Sequence, residues 1–292
     1  MKAKESGSKI SFSRVSLRWL TPLALLPVAA VIVLFLSLQP VWEAYQVQDF
    51  LSRLDKAGPD EWEHTVASLV TVHEDIIKPL SDWTRSSSVE RRIKAVTLLA
   101  QLPSEQVNPI LLEALKDDDV RVWKRAETGL VRRWQRTDDP SINALFDHGL
   151  LLLRNREWEK ARRIFDLIIN HETPLPAELV AEAYCQRAET FYQEEDFHHC
   201  LRDCQEALRL NPNHFGALLF MGMCYHHERN LILADDAYRR ALDIHPHLDS
   251  AQKMVEIYNK ARENARALYA ESHVQGVTQS TEELPLHLRR VP

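Results

Sequence analysis

Glycine is scarce in this sequence, with 7 in 292 residues, whereas an average protein contains about 7%. Because glycine supplies most positive-φ turns, the scarcity argues against β-sandwiches, β-barrels and glycine-rich phosphate loops. The motifs G-x-G-x-x-G, G-x-x-x-x-G-K, G-x-S-x-G and H-E-x-x-H are all missing from the sequence. With 45% hydrophobic and 27% charged residues, the composition is that of a folded chain. We therefore expect an all-α protein that is not an enzyme and uses no cofactor.

Charged residues are absent from residues 19–42, which are rich in Leu, Val, Ala, Ile and Phe. About 20 such residues span a bilayer as a helix, so a transmembrane helix in contact with lipid is expected here. Residues 1–18 are strongly basic, and basic flanks stay in the cytoplasm. This predicts a single-pass membrane protein whose C-terminal domain lies outside the cytoplasm, in the periplasm if the source is bacterial. A cleaved signal peptide is the alternative, although its apolar region is usually shorter.

The rest of the chain is acidic. The whole chain has a net charge of −6 and residues 1–18 contribute +4, so the remainder carries −10. An acidic domain repels polyanions, and no nucleic-acid binding is expected. Residues 43–59 predict a short juxtamembrane helix and a linker ending at Gly-Pro. Residues 271–292 are polar and contain proline, which predicts a disordered tail.

Two kinds of repeat follow the linker. A shift of 31 residues superposes Leu99 on Leu130. Around the second copy, LLEALKDDDVRVWKRAETGL predicts a helix over Asn108 to Lys116, a turn of three aspartates that caps the next helix, and that helix from Val120. The pattern resembles the short HEAT-like repeats of phycobilisome-lyase-type proteins. The resemblance implies HEAT-like helical repeats over residues 60–136.

The second repeat has a period of 34 residues, which separates Ala188 from Gly222 and Pro212 from Pro246. This resembles the tetratricopeptide pattern W-x2-L-G-x2-Y…A-x3-F…P. Small residues facing large ones let paired helices interlock. A five-residue insertion at 172–176 separates the first unit from the second. The expected packing residues are Gly149, Ala161, Phe165, Ala188, Cys200, Cys204, Pro212, Gly222, Tyr225, Ala234, Tyr238 and Pro246.

The tetratricopeptide resemblance implies three helical units plus a capping helix over residues 139–270, stacked as an α-solenoid. The architecture is similar to that of membrane-anchored tetratricopeptide proteins of bacterial envelopes. It implies a non-enzymatic, membrane-anchored scaffold or assembly factor that binds a protein or peptide partner in a concave groove. The residues expected to line that groove are Phe146, Leu150, Leu153, Glu182, Cys185, Glu189, Tyr192, Leu219, Met223, His226 and His227.

The occupant of the groove has two interpretations. Family members that grip a peptide C-terminus use Lys, Arg and Asn along this stripe, and those residues are absent here. An apolar or helical partner segment therefore fits better. The alternative is that the chain's own capping helix or tail fills the groove.

A thiol or metal site is the alternative function. Cys200 and Cys204 are four residues apart on one helix face, and Cys224 lies on the next helix with histidines nearby. Against this, cysteine is often a small core residue, and C-x3-C is not a zinc signature. Adjacent histidines on a helix point about 100° apart, so a His-His doublet does not supply two ligands on one face.

Overall fold

The computed structural model describes residues 45–56 and 76–274, with side chains up to residue 267. Twelve helices and no strand occur in these two ranges, which confirms the predicted all-α class. The basic tail 1–18, the apolar segment 19–42 and most of the tail 271–292 lie outside the described residues. The chain divides into two compact units at Ile76 and Ile77.

The predicted single-pass membrane location is wrong. In the described ranges, no helix combines the length and the apolar character that crossing a bilayer requires. The longest of them, Asp249–Val274, has 26 residues, but charged side chains such as Lys253, Glu256 and Lys260 recur along it. Each of these charges is expensive in a hydrocarbon environment.

The first unit contributes one described helix, α1, which spans residues 45–56. Val47, Phe50, Leu51 and Leu54 are buried, and their spacing places them along one face of the helix. The helix falls within the segment 43–59 for which the sequence predicts one.

The second unit opens with four short helices: α2 (Ile77–Trp83), α3 (Val89–Leu99), α4 (Val107–Ala114) and α5 (Val120–Trp134). The carboxylate of Asp119 accepts a hydrogen bond from the backbone N–H of Arg121 at 2.9 Å and caps α5. The predicted capping role of the aspartate turn is thus confirmed. Arg92 makes a bidentate ion pair with Asp117, at 2.6 and 3.0 Å. This pair joins the start of α3 to the turn before α5.

Seven further helices complete the second unit: α6 (Pro140–Arg154), α7 (Trp158–Ile169), α8 (Ala177–Gln193), α9 (Phe197–Leu210), α10 (Phe215–His227), α11 (Leu231–Ile244) and α12 (Asp249–Val274). The first six form three pairs, in each of which the first helix packs on the second. Each second helix also packs on the helix that follows the pair, and α12 covers α11. We call α6, α8 and α10 the A helices.

The turn inside each pair shows that the three pairs repeat one structure. The residues Arg156, Glu195 and Arg229 adopt φ values of 61°, 60° and 61°. The next residue in each turn donates its backbone N–H to a carbonyl five positions earlier, at 2.9 Å, as in Glu157 to Leu152. This is the Schellman arrangement, in which a left-handed residue ends a helix. Its presence after α6 shows that the first pair has the turn of the other two.

Small residues in the A helices allow the paired helices to approach closely. A Cβ atom added to Gly149 would lie 2.8 Å from the ring of Phe165, and one added to Gly222 would lie 2.7 Å from the ring of Tyr238. The other expected packing residues divide by burial. Ala161, Phe165, Ala188, Cys200, Cys204, Ala234 and Tyr238 are buried, Tyr225 and Pro246 are half-buried, and Pro212 is exposed.

Helix α5 packs against the helical pairs at the beginnings of the A helices. The ring of Trp134 stacks on His214, with 5.0 Å between centroids, and lies 5.5 Å from Phe215 at the start of α10. The Nε2 group of Gln135 donates to Glu182 Oε1 near the start of α8, at 2.8 Å. One end of α5 thus covers the first turns of two A helices.

The other end of α5 reaches the turn before α12. The ring of Trp123 stacks on His247 at 4.9 Å, with 10° between the planes, and lies 5.5 Å from His245. The Nε2 group of His247 donates to the backbone oxygen of Asp117 at 3.0 Å. We call this set of contacts, from Asp117 to Gln135, the α5 seam.

Gly222→Ala should destabilise the protein. Its methyl group would overlap the ring of Tyr238, and overpacking of this kind costs about 1–3 kcal/mol, only part of which is offset by the better helix propensity of alanine. Gly216→Ala in the same helix is the control, since its nearest side-chain atom would be 3.4 Å away. Urea unfolding measures both variants. Equal midpoints would contradict the proposed close packing.

Trp134→Ala should lower the free energy of unfolding by about 3–5 kcal/mol, as is usual when a buried tryptophan is truncated. The loss should be accompanied by faster amide exchange at the start of α10, because the indole stacks on His214 and lies against Phe215 there. Val120→Ala is the matched control in the same helix, where the side chain is 48% exposed and a change within about 0.5 kcal/mol is expected. A small loss at Trp134 would mean that the α5 seam contributes little to the fold.

Candidate partner-binding site

The structure divides the predicted groove residues by accessibility. Phe146, Leu153, Glu182 and Cys185 are buried, Leu150, Glu189, Tyr192, Leu219 and Met223 are half-buried, and His226 and His227 are exposed. We call Glu189, Tyr192, Leu219, Met223, His226 and His227 the open groove. These six residues belong to α8 and α10 and follow the first turns that α5 covers.

Each of the four buried residues differs from the prediction for a physical reason. Phe146 meets Phe165 edge-on at 5.6 Å between centroids, and Leu153 belongs to the same core between α6, α7 and α8. Cys185 belongs to the core between α8, α9 and α10. Glu182 lies beneath the α5 seam. A partner does not reach these side chains in the described structure.

Glu182 is a structural carboxylate. One of its oxygens accepts hydrogen bonds from Gln135 and Gln186, both at 2.8 Å, and the other lies 2.9 Å from Nε2 of His214. Burial alone would raise the pKa of Glu182, but the contact with His214 and the two amide hydrogen bonds outweigh burial and lower it. The carboxylate therefore remains ionised, and it helps to hold α5, α8 and α10 together.

Contacts among aromatic rings and a histidine hold the side chains of the open groove in position. The hydroxyl of Tyr192 lies 3.0 Å from Nε2 of His227, and the ring of His227 stacks on Phe197 at 4.9 Å. The Tyr192 ring is 5.9 Å from that of Phe220. These contacts tie the end of α8 to the start of α9 and to α10, and they hold the Tyr192 ring in place.

A second contact joins α10 to the capping helix. Nδ1 of His226 lies 2.6 Å from the hydroxyl of Tyr258 in α12. Leu219 and Met223 pack against the core that contains Tyr258. The open groove therefore continues from α8 across α10 to α12.

Phe197 and Phe220 are the site residues that sequence reasoning missed. Neither lies on the stripe expected for the inner face of an A helix, because Phe197 opens α9 and Phe220 is displaced by one position from Leu219. The sequence did contain a signal for Phe197, since Tyr192 and Phe197 lie on either side of the turn between α8 and α9.

Glu189 differs from the other acidic residue of the stripe. Its side chain is half-buried, and burial together with the negative charge of Glu182 raises the pKa of Glu189. No hydrogen bond or ion pair joins Glu189 to any other residue of the described ranges. A carboxylate in these surroundings is poorly solvated and lacks a compensating cation within the described chain.

The four cysteines share one core. Cys185, Cys200, Cys204 and Cys224 are all buried free thiols, and Sγ of Cys224 lies 2.9 Å from Sγ of Cys200. Burial raises the pKa of Cys185 well above its usual value, which disfavours the reactive thiolate. In the described ranges, no cluster of His, Cys, Asp and Glu has an arrangement that could hold a metal ion. The thiol or metal alternative is therefore not favoured.

Comparison with known proteins identifies the central pair. Residues 181–214, which cover most of α8, all of α9 and the turn to α10, match the tetratricopeptide repeat family. Sperm-associated antigen 1 from Rattus norvegicus is 29% identical over 119 residues, and the protein of the same name from Mus musculus has the same identity. These matches cover 39% of this chain and 13% of the length of either relative.

Two solved structures resemble the chain in part. The Hsp90 co-chaperone Cns1 from Saccharomyces cerevisiae aligns with 51% of this chain and 44% of its own, at 16% identity and a TM-score of 0.37. The MamA RS-1 ArsTM double mutant aligns with 71% of this chain and 97% of its own, at 14% identity and a TM-score of 0.30. The family match and the helical pairs together show that this all-α chain contains a tetratricopeptide repeat.

Proposed function

We propose that this chain is a non-enzymatic interaction protein that binds a protein partner through the open groove. The observation that carries the proposal is the incompletely buried surface of α8 and α10. It includes Tyr192, Leu219 and Met223, together with the carboxylate of Glu189, which has no partner among the described residues. Covering apolar surface of this kind with a partner is favourable, because the surface is then removed from water. Stacked helical pairs present such extended surfaces for binding.

The partner segment is an apolar or helical one. The open groove contains no lysine or arginine, and those are the residues that a tetratricopeptide groove uses to hold a terminal carboxylate. An amphipathic helix buries its apolar face in a groove without needing a chain terminus. The contacts of α5 support this proposal, because one helix of the chain already packs across the first turns of α8 and α10.

The domain organisation of the proposal follows the repeats. We infer that α2 to α5 are the described part of the HEAT-like repeats of residues 60–136, and that α6 to α12 form three tetratricopeptide units and a cap over 139–270. In this arrangement the HEAT-like part packs on one edge of the tetratricopeptide array through the α5 seam, which covers the starts of α8 and α10. An assembly factor would bind its partner along the edge of the array that α5 leaves uncovered.

Replacing both Leu219 and Met223 by glutamate should abolish partner binding. Two carboxylates on the apolar surface would have to be desolvated by a partner, and this is strongly unfavourable. The control is Leu231→Glu with Ile232→Glu, at side chains that are 49% and 54% exposed on α11. Crosslinking in intact cells followed by mass spectrometry compares the partners of the variants, and circular dichroism checks the fold. The same partners in both variants would contradict a role for the groove.

Glu189→Gln should stabilise the unliganded protein at neutral pH. Because the folded-state pKa of Glu189 is raised, the folded chain binds this proton more tightly than the unfolded chain. The tighter binding of this proton stabilises the folded chain fully below the unfolded-state pKa of Glu189, about 4.3. This stabilisation is lost as pH rises through the folded-state pKa. Glutamine does not titrate, so its advantage in Tm at pH 7 should shrink as the pH approaches 4. Exposed Glu263→Gln is the control, and an equal effect there would contradict the burial argument.

A further inference from the structure

Helix α8 shows how this protein binds a cation on a helix surface. Phe191 lies in the last turn of α8, Glu194 caps the C-terminal end of that helix, and the two residues receive Arg162 from α7. The guanidinium carbon of Arg162 lies 4.8 Å from the centre of the Phe191 ring, and its NH2 group is 3.4 Å from Oε1 of Glu194. An aromatic ring and a carboxylate three residues apart thus hold one arginine between them.

A second arginine, which belongs to α8 itself, makes the same kinds of contact. The guanidinium of Arg187 lies 5.2 Å from the centre of the Tyr184 ring and donates two hydrogen bonds to Asp203 of α9, at 2.6 and 2.8 Å. On this helix, each guanidinium that packs on a ring is also neutralised by a carboxylate.

Glu189 and Tyr192 also place a carboxylate and an aromatic ring three residues apart, in the reverse order along the chain. Two residues along an α-helix correspond to about 200° of rotation. The pair formed by Glu189 and Tyr192 therefore faces away from the pair that holds Arg162, toward the open groove. The Tyr192 ring is already fixed by the contact of its hydroxyl with His227, so little side-chain entropy is lost when a group packs on it.

The charges around Glu189 favour a cation from outside the described chain. Glu182 is the neighbouring charge, and it raises the pKa of Glu189 in the same direction as burial does. Among the described residues none pairs with Glu189, and the open groove itself has no basic side chain other than its histidines. A lysine or arginine placed here would compensate both the desolvation and the repulsion.

We infer that the open groove recognises a lysine or arginine side chain of the partner segment, which pairs with the Glu189 carboxylate and packs on the Tyr192 ring. Its occupant is an apolar helical segment with one central cation. This inference rests on the proposed function, since it specifies the chemistry of the partner that binds there.

The test uses three synthetic peptides and the full chain. The peptides are one amphipathic helix of about 15 residues, long enough to hold a helix when bound, with a central arginine, citrulline or glutamate. Citrulline matches the shape of arginine but is neutral. Binding is followed by fluorescence anisotropy and by the methyl resonances of methionine, of which the chain has 4. Met223 reports on the groove, and buried Met221 reports on the fold.

The arginine peptide should bind about tenfold more tightly than the citrulline peptide, which corresponds to one additional charged contact, and should shift the Met223 resonance. Glu189→Gln should reduce this ratio to near one while the Met221 resonance is unchanged. The variant Glu189→Lys should reverse the preference in favour of the glutamate peptide, which separates a charge effect from loss of folding.

Three results would overturn the inference: equal binding of the arginine and citrulline peptides, a preference for arginine that survives Glu189→Gln, or no binding of any peptide. A self-association seen by sedimentation and lost in Glu189→Gln would also overturn it, by assigning the site to a second copy of the chain. The proposed function is tested separately by crosslinking of the Leu219 and Met223 variant. If that variant loses the partner while arginine and citrulline bind equally, the function stands and the cation site is rejected.

Discussion

The buried contacts of Glu182 are the interaction on which the second unit depends. This carboxylate joins α5, α8 and α10 through Gln135, Gln186 and His214, and the ring of Trp134 covers the histidine. Partners of a buried charge are coupled, because the loss of one leaves the others poorly solvated. The helices that precede the three helical pairs are therefore part of one packed structure with them. The same contacts determine which half of the A helices remains accessible.

The helices and turns were predictable because each is determined by residues close together in the sequence. Each 34-residue period corresponds to one helical pair, and the same turn joins the two helices in each of the three pairs. The aspartates before Val120 likewise cap the helix that follows them. In each case the physical cause lies within a few residues of the pattern, such as a helix cap or a small residue facing a ring. The helices and their order could therefore be obtained from one sequence.

The site was only partly predictable because its limits depend on contacts distant in sequence. Trp123 meets His247, and Trp134 meets His214, and no periodicity connects these residues. The stripe assigned to the groove included Glu182 without any sign that α5 covers it. The stripe also included Phe146, whose ring turns toward Phe165 in the core. In contrast, the placement of Glu189 and Tyr192 on one face of α8 follows from their spacing alone, because residues three apart on a helix are neighbours on its surface.

The gathering of every thiol of the chain into one core has a practical consequence. The sequence has 4 cysteines, and Cys185, Cys200, Cys204 and Cys224 are all buried, with raised pKa values. Toward maleimide and similar alkylating reagents, the native protein should therefore behave as though it contained no cysteine. A single cysteine introduced on an exposed helix could carry a fluorophore or spin label without removal of the natural ones, and distances within the repeat array would then become measurable in the otherwise unaltered chain.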